Sequence, residues 1–318
     1  MKHCLKKLLV VASIAFIPSQ TFAQTSGSTS DVSVLATPAG HEVSFDVGGY
    51  EYVEPGDTSI SIHGPKFGGG YTGTMSLNSS QRWFLQADAR GLFGSATYDG
   101  WCSPLLIAPD RTSPNGWALD LGDPSRCSES GDQDWYVEGR AMVGKDFIGR
   151  TWGWSPEIGV GLRHLSNGTT GNPGHRTQDY LYLPVGMTAR AVAGSHNALS
   201  FSLEYDHLLH GWQTTRDSQL GGGDVPATPI APSFTIEGFS DISFDQHSGW
   251  ALRASGKYQV SRRWSVELQY IHWNVNASAV NYETATFTVN GVTARQQLGA
   301  YEPLNRTNEL VAKVGFRL

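Results

Sequence analysis

Charge is scarce in this sequence. Asp, Glu, Lys and Arg make up 16% of its 318 residues, too few for a coiled coil or a charge-rich disordered chain. The formal net charge is −6, so the basic face that nucleic-acid binding needs is missing. Cysteine is nearly absent, with three copies, and none sits in a Cys-x-x-Cys pair of the kind that frames zinc. No metal and no cofactor is expected. Also lacking is any apolar run long enough for a membrane-spanning helix. The longest, Leu8 to Ile17, covers ten residues, about half the length such a helix requires.

That run follows Lys2, Lys6 and Lys7 and precedes Thr21-Phe22-Ala23. A positive start, a short apolar stretch and a small-residue cut site make an export signal, so residues 1–23 are expected to be removed after Ala23. No Cys follows the cut, which disfavours a lipid anchor. Residues 24–40, rich in Ser and Thr, read as a flexible periplasmic lead-in. Cys4 leaves with the signal. Cys102 and Cys127 remain, an even number in an oxidising compartment, and are expected to form a disulfide stapling one long loop.

From residue 41 to 318 the chain alternates with period two, as strands do. Ten segments show it, near 42–53, 59–77, 81–98, 134–148, 152–166, 178–193, 197–212, 248–260, 262–275 and 306–318. One face of each is apolar, as in Trp264, Val266, Leu268 and Tyr270, or Leu310, Ala312, Val314 and Phe316. The other face gathers the charges. Among these are Arg90, Glu138, Arg140, Arg163, Arg190, Glu204, Asp206 and Arg253, expected to form a charge network. A soluble barrel would carry its oily face inside. Three features favour the reverse. Aromatics flank the apolar face, with Trp83, Phe147, Trp154, Trp264 and Phe316 at one end and Trp135, Trp250 and Tyr270 at the other. Connections alternate between tight ones (78–80, 149–151, 194–196, 261) and long ones (99–133, 167–177, 213–247, 276–305). The last segment ends the chain with an aromatic near its terminus. The expected fold is therefore all-β: a single transmembrane antiparallel barrel of ten strands, with short periplasmic turns and long surface loops, in a bacterial outer membrane. Crowded opposite charges should plug so narrow a lumen, although a small or gated channel stays open as a reading.

Two resemblances bear on function. A signal peptide, ten strands, five surface loops and a terminal aromatic strand resemble the omptin family of outer-membrane endopeptidases. Omptins pair an Asp-x-Asp with an Asp-x-His across the barrel mouth. Asp132-Gln133-Asp134 precedes the fourth strand here, and Asp245-Gln246-His247 precedes the eighth. Counting in steps of two places both pairs on the lumen face. The resemblance implies that His247 activates a water, Asp245 orients it, and Asp132 and Asp134 hold the water against a peptide substrate. It also implies lipopolysaccharide and membrane lipid as partners.

Separately, Arg163-His164-Leu165-Ser166-Asn167 resembles the His-x-Ser-Asn segment of lipid A deacylases, whose His and Ser face lipid. His164 and Ser166 are in phase with the apolar Ile158, Val160 and Leu162, and Asp179 is in phase with Leu181 and Leu183 on the next strand. The resemblance implies a Ser nucleophile, a His base and an Asp orienter acting on a lipid ester. Glu204, Asp206 and His210 line up inward on the seventh segment and are expected to pair with Arg190. Three classes of function follow: a non-catalytic surface, adhesin-type or narrow-channel barrel, an endopeptidase acting on surface peptides or proteins, and a lipid-directed esterase.

Overall fold

The computed structural model describes residues 34–56, 60–78, 82–102, 104–168, 175–193 and 197–318. The signal segment 1–23, the lead-in residues 24–33 and the turns at 79–80 and 194–196 lie outside the described residues.

Ten strands form one ring: β1 (Gly40–Glu54), β2 (Ile60–Asn78), β3 (Trp83–Cys102), β4 (Ser125–Lys145), β5 (Trp152–Gly168), β6 (His175–Val192), β7 (Ala198–Arg216), β8 (Gly249–Gln259), β9 (Trp264–Val275) and β10 (Asn305–Arg317). Each pairs antiparallel with its neighbour in sequence. β10 pairs with β1 along Glu42–Val53 and closes the ring. Closure removes the edges, so the backbone groups of each strand are paired on both sides, as hydrocarbon demands.

The barrel is inside out relative to a soluble protein. Phe45, Val160, Phe201, Leu203, Leu268 and Val314 are exposed on its outer wall, while Asp46, Lys66, Glu138, Arg163, Arg253 and Glu309 are buried within. Only a solvent of acyl chains makes that distribution stable, because each exposed apolar side chain would otherwise cost about 1.5–3 kcal/mol. Aromatic pairs mark the periplasmic border, where Phe147 stacks on Trp154 at 4.6 Å and Trp264 meets Phe316 at 4.8 Å.

The lumen has three storeys. At the extracellular end aromatic and aliphatic side chains fill it, including Tyr50, Tyr52, Leu92 and Tyr136 on one wall and Tyr180, Tyr182, Ile271 and Trp273 on the other. Below lies an ionic layer. Arg253 donates to Asp206 at 2.6 Å and to both carboxylate oxygens of Glu138 at 2.9 and 2.5 Å. Arg140 bridges Glu204 at 2.6 Å and Asp88 at 3.1 Å. Arg90 binds Glu309 and Tyr136, and Arg163 approaches Glu309 at 3.5 Å. Towards the periplasm the lumen widens into a cavity of about 770 Å³. The expected charge network is thus present, with one correction: Arg190 pairs with Asp146 and Ser155 rather than with Glu204 or Asp206, because it sits one storey lower. The end of the stretch read as a free lead-in is tied down. Leu35 is buried, and Thr37 donates to Asp146 through its backbone at 2.9 Å and its hydroxyl at 2.6 Å.

Above the membrane the long connections carry structure that period-two counting treats as loop. β3 and β4 stay paired up to Cys102 and Ser125, so the Cys102–Cys127 disulfide joins two paired strands rather than the ends of a loose loop. Strands 223–225, 234–239, 281–289 and 292–300 build a four-stranded sheet. A hairpin of 105–109 with 117–121 packs on it. Ile107, Leu119, Phe234, Ile236 and Phe287 form the core of this head. Gln296 clamps the backbone of Leu119 in both directions, at 2.6 and 3.0 Å.

Candidate functional site on the outer wall

β5 runs outward through Ile158, Val160 and Leu162, all exposed. Continuing the same alternation, His164 and Ser166 stand on that wall one and two steps further towards the cell exterior. β6 brings Asp179 directly opposite His164 and Thr177 opposite Ser166. β4 brings Val137 and Trp135 to the other side of the same two residues.

The His164–Asp179 pair forms as the sequence implies. His164 Nδ1 donates to Asp179 Oδ1 at 2.7 Å, since an ionised carboxylate only accepts. Nε2 is then the ring atom free to take a proton. The Trp135 ring lies 5.3 Å from the imidazole and walls it on the β4 side. Ser166 is buried, and its hydroxyl is engaged at 2.8 Å by Nε2 of His175 rather than by His164. Counting from the motif misses His175, because it enters from the start of β6, beyond the stretch 169–174. The arrangement is a serine hydroxyl bonded to one imidazole, with a second, carboxylate-oriented imidazole two residues away on the same strand, at the upper edge of the lipid-facing band.

The Asp-x-Asp and Asp-x-His residues do not meet. Asp132 and Asp134 are buried on the lumen side, and Asp134 accepts from Lys66 at 2.8 Å. Asp245 and His247 are exposed on the outer wall. His210 bonds Asp245 at 3.1 Å and packs 4.9 Å from His247. The expectation that all four face the lumen is corrected, and so is the inward placement of His210. Two irregularities explain it. A register shift at Leu208/His210 adds a residue to β7, and the chain breaks strand at His247 and Ser248 before β8. Below the break Ala251 and Arg253 are buried; above it the buried residues are Phe244 and Gln246. One extra residue exchanges the two faces.

No protein-family profile matches the sequence, and no curated protein matches it. Among solved structures, the chain is similar to the outer membrane protease OmpT from Escherichia coli at 11% identity and a TM-score of 0.47, over 89% of this chain and 98% of that one. It is similar to the translocator domain of the autotransporter NalP from Neisseria meningitidis at 11% identity and a TM-score of 0.34, over 89% and 90%. An outer membrane channel from Pseudomonas putida F1 matches at 11% identity and a TM-score of 0.33, over 92% and 100%. Ring closure, the inverted distribution of charge and the paired aromatic borders are features of this chain itself, and they make it a ten-stranded β-barrel of the outer-membrane kind.

Proposed function

We propose that the protein is a lipid-directed ester hydrolase of the outer membrane, acting from its outer wall. The observation that carries this reading is the 2.7 Å bond from His164 to Asp179, with Ser166 two residues along the same strand and on the same face. Ser166 Oγ attacks the carbonyl carbon of an acyl ester and passes its proton to His164 Nε2. Asp179 holds the tautomer and stabilises the imidazolium. The tetrahedral intermediate collapses, and the departing alkoxide takes the proton from His164. A water molecule, deprotonated by the same imidazole, then cleaves the acyl-enzyme and releases a fatty acid. His175 holds the hydroxyl at rest, and a rotation about the Ser166 side chain hands it to His164.

The endopeptidase reading needs carboxylates and an imidazole around one water. Here they stand on opposite sides of the barrel wall, with Asp134 bound to Lys66. A pore reading needs an open lumen, whereas aromatic side chains fill the extracellular storey. Export through cleavage after Ala23 fits the same placement in an outer membrane. The test is fatty-acid release from mixed micelles of detergent and ester lipid by the purified, folded protein. Wild type should turn over, and Ser166→Ala should lose about a thousandfold or more. Equal release by both would remove the nucleophile.

A further inference from the structure

The outer wall carries a notch beside Ser166. Gly69 and Gly91 are cross-strand partners on β2 and β3. With no side chain at either, they leave a hollow of about 570 Å³ whose lining includes Phe45, Phe67, Phe93 and Val137 and no charged residue. The register ties this hollow to the site. Phe45 lies opposite Gly69, Gly91 opposite Val137, and Val137 opposite His164. One row of paired residues therefore runs from the hollow to the imidazole. The next row runs Phe67, Phe93, Trp135, Ser166. With strands ~4.8 Å apart, Gly91 and His164 are separated by two spacings, about 10 Å.

We infer that this notch seats the acyl tail of the ester presented to Ser166, so that the site selects long-chain acyl esters of membrane lipids. The inference rests on the Ser166 reading. Its occupant follows from position and chemistry: the hollow opens on the face that meets acyl chains, has an apolar lining, and shares its wall residue Val137 with the site. Phe67 and Phe93, in edge contact at 4.2 Å, close its outer rim.

Gly91 is the place to test it. A Cβ there would meet Val137 Cγ1 at 3.5 Å and the Tyr136 carbonyl at 3.7 Å, both ordinary contacts. At Gly69 a Cβ would fall 2.6 Å from the Ser44 carbonyl, so substitution there disturbs the backbone. Gly91→Leu thus fills the notch of the folded protein. The experiment compares wild type and Gly91→Leu on a palmitoyl and an acetyl ester of one alcohol, reading the ratio of the two kcat/KM values. The notch predicts that the preference for palmitoyl falls about tenfold or more. A second arm uses vesicles holding a phospholipid with a photoreactive group at its acyl terminus. Adducts should concentrate on Phe67, Phe93 and Val137, and Gly91→Leu should deplete them. An unmoved ratio together with adducts spread evenly to Leu203 and Leu252 on the opposite wall overturns the seat while leaving Ser166 in place. Cross-links between two protein chains at Phe67 would make the notch an interface and overturn it likewise. No cleavage of either ester by wild type overturns the Ser166 reading and the inference together.

Discussion

His164 faces Asp179 across the β5–β6 pair, bound at 2.7 Å, on the wall that Leu162 and Val160 turn towards lipid. A buried ion pair inside the barrel would stabilise the fold. An imidazole–carboxylate pair outside it, beside a serine, does little for the fold and much for proton transfer.

The two imidazoles around Ser166 separate cleanly by mutation. With His164 as base, His164→Ala should lose activity as completely as Ser166→Ala, because members of one catalytic unit are not additive. Asp179→Asn should keep the geometry and lower kcat by about a thousandfold or more through the wrong tautomer. His175→Ala should leave kcat within about tenfold of wild type, far above the Ser166→Ala loss. A collapse in His175→Ala with activity retained in His164→Ala would move the base to β6.

The ionic storey predicts a stability defect of definite size. Arg253 is the shared partner of Glu138 and Asp206, and all three are buried. Arg253→Ala strands two carboxylates and should destabilise the barrel by about 3–5 kcal/mol. The readout is the temperature at which the folded form converts to the slower-migrating unfolded form on a detergent gel.

Above the barrel, the linker between the head and β10 lowers Glu302 into the lumen mouth. Tyr52 donates to it at 2.7 Å, Gln178 at 3.2 Å, and Gln213 binds its other oxygen. Burial pushes this carboxyl up to about 7; Arg176 pulls it back and Glu54 pushes it further. In the head, burial and then the charge and hydrogen bond of Asp217 push Glu283 up to about 7 as well. A carboxyl with a folded pKa above its unfolded one stabilises the fold at low pH and loses that contribution as pH rises through the folded value. Resistance of the head to proteolysis should therefore fall as pH rises from about 4.5 through about 7. Glu302→Gln should flatten the linker's share of that change. A wild-type profile that rises with pH would contradict the assignment.

The filled lumen predicts silence in a planar bilayer. Tyr136 is fully buried at the junction of the aromatic and ionic storeys and binds Arg90 and Glu309. Wild type should show no steady conductance, whereas Tyr136→Ala combined with Arg90→Ala should pass ions. A stable open pore in wild type would contradict the plug.

What could be read from the sequence follows from what each segment faces. β9 and β10 meet lipid on one side and a charged lumen on the other, so Leu268 and Val314 alternate visibly with Glu267 and Lys313. Ser125 to Gly131 is polar on both faces because it rises into water, and its strand leaves no periodic trace. The head strands sit in a small separate core, so their apolar residues read as loop. Parity by counting holds only along an unbroken strand. It succeeds for His164 and Ser166 on β5, and fails at Asp245 and His247 because of the break at His247–Ser248. His175 reaches Ser166 through space, which no spacing on one strand encodes.

The most direct measurement is covalent trapping. A lipid-soluble fluorophosphonate should react with the folded protein in micelles at one serine, mapped by mass spectrometry. The account predicts a single adduct on Ser166, lost in His164→Ala and kept in Asp132→Asn and His247→Ala. No adduct, or one on another serine with Ser166 unmodified, would contradict a nucleophile on the lipid-facing wall.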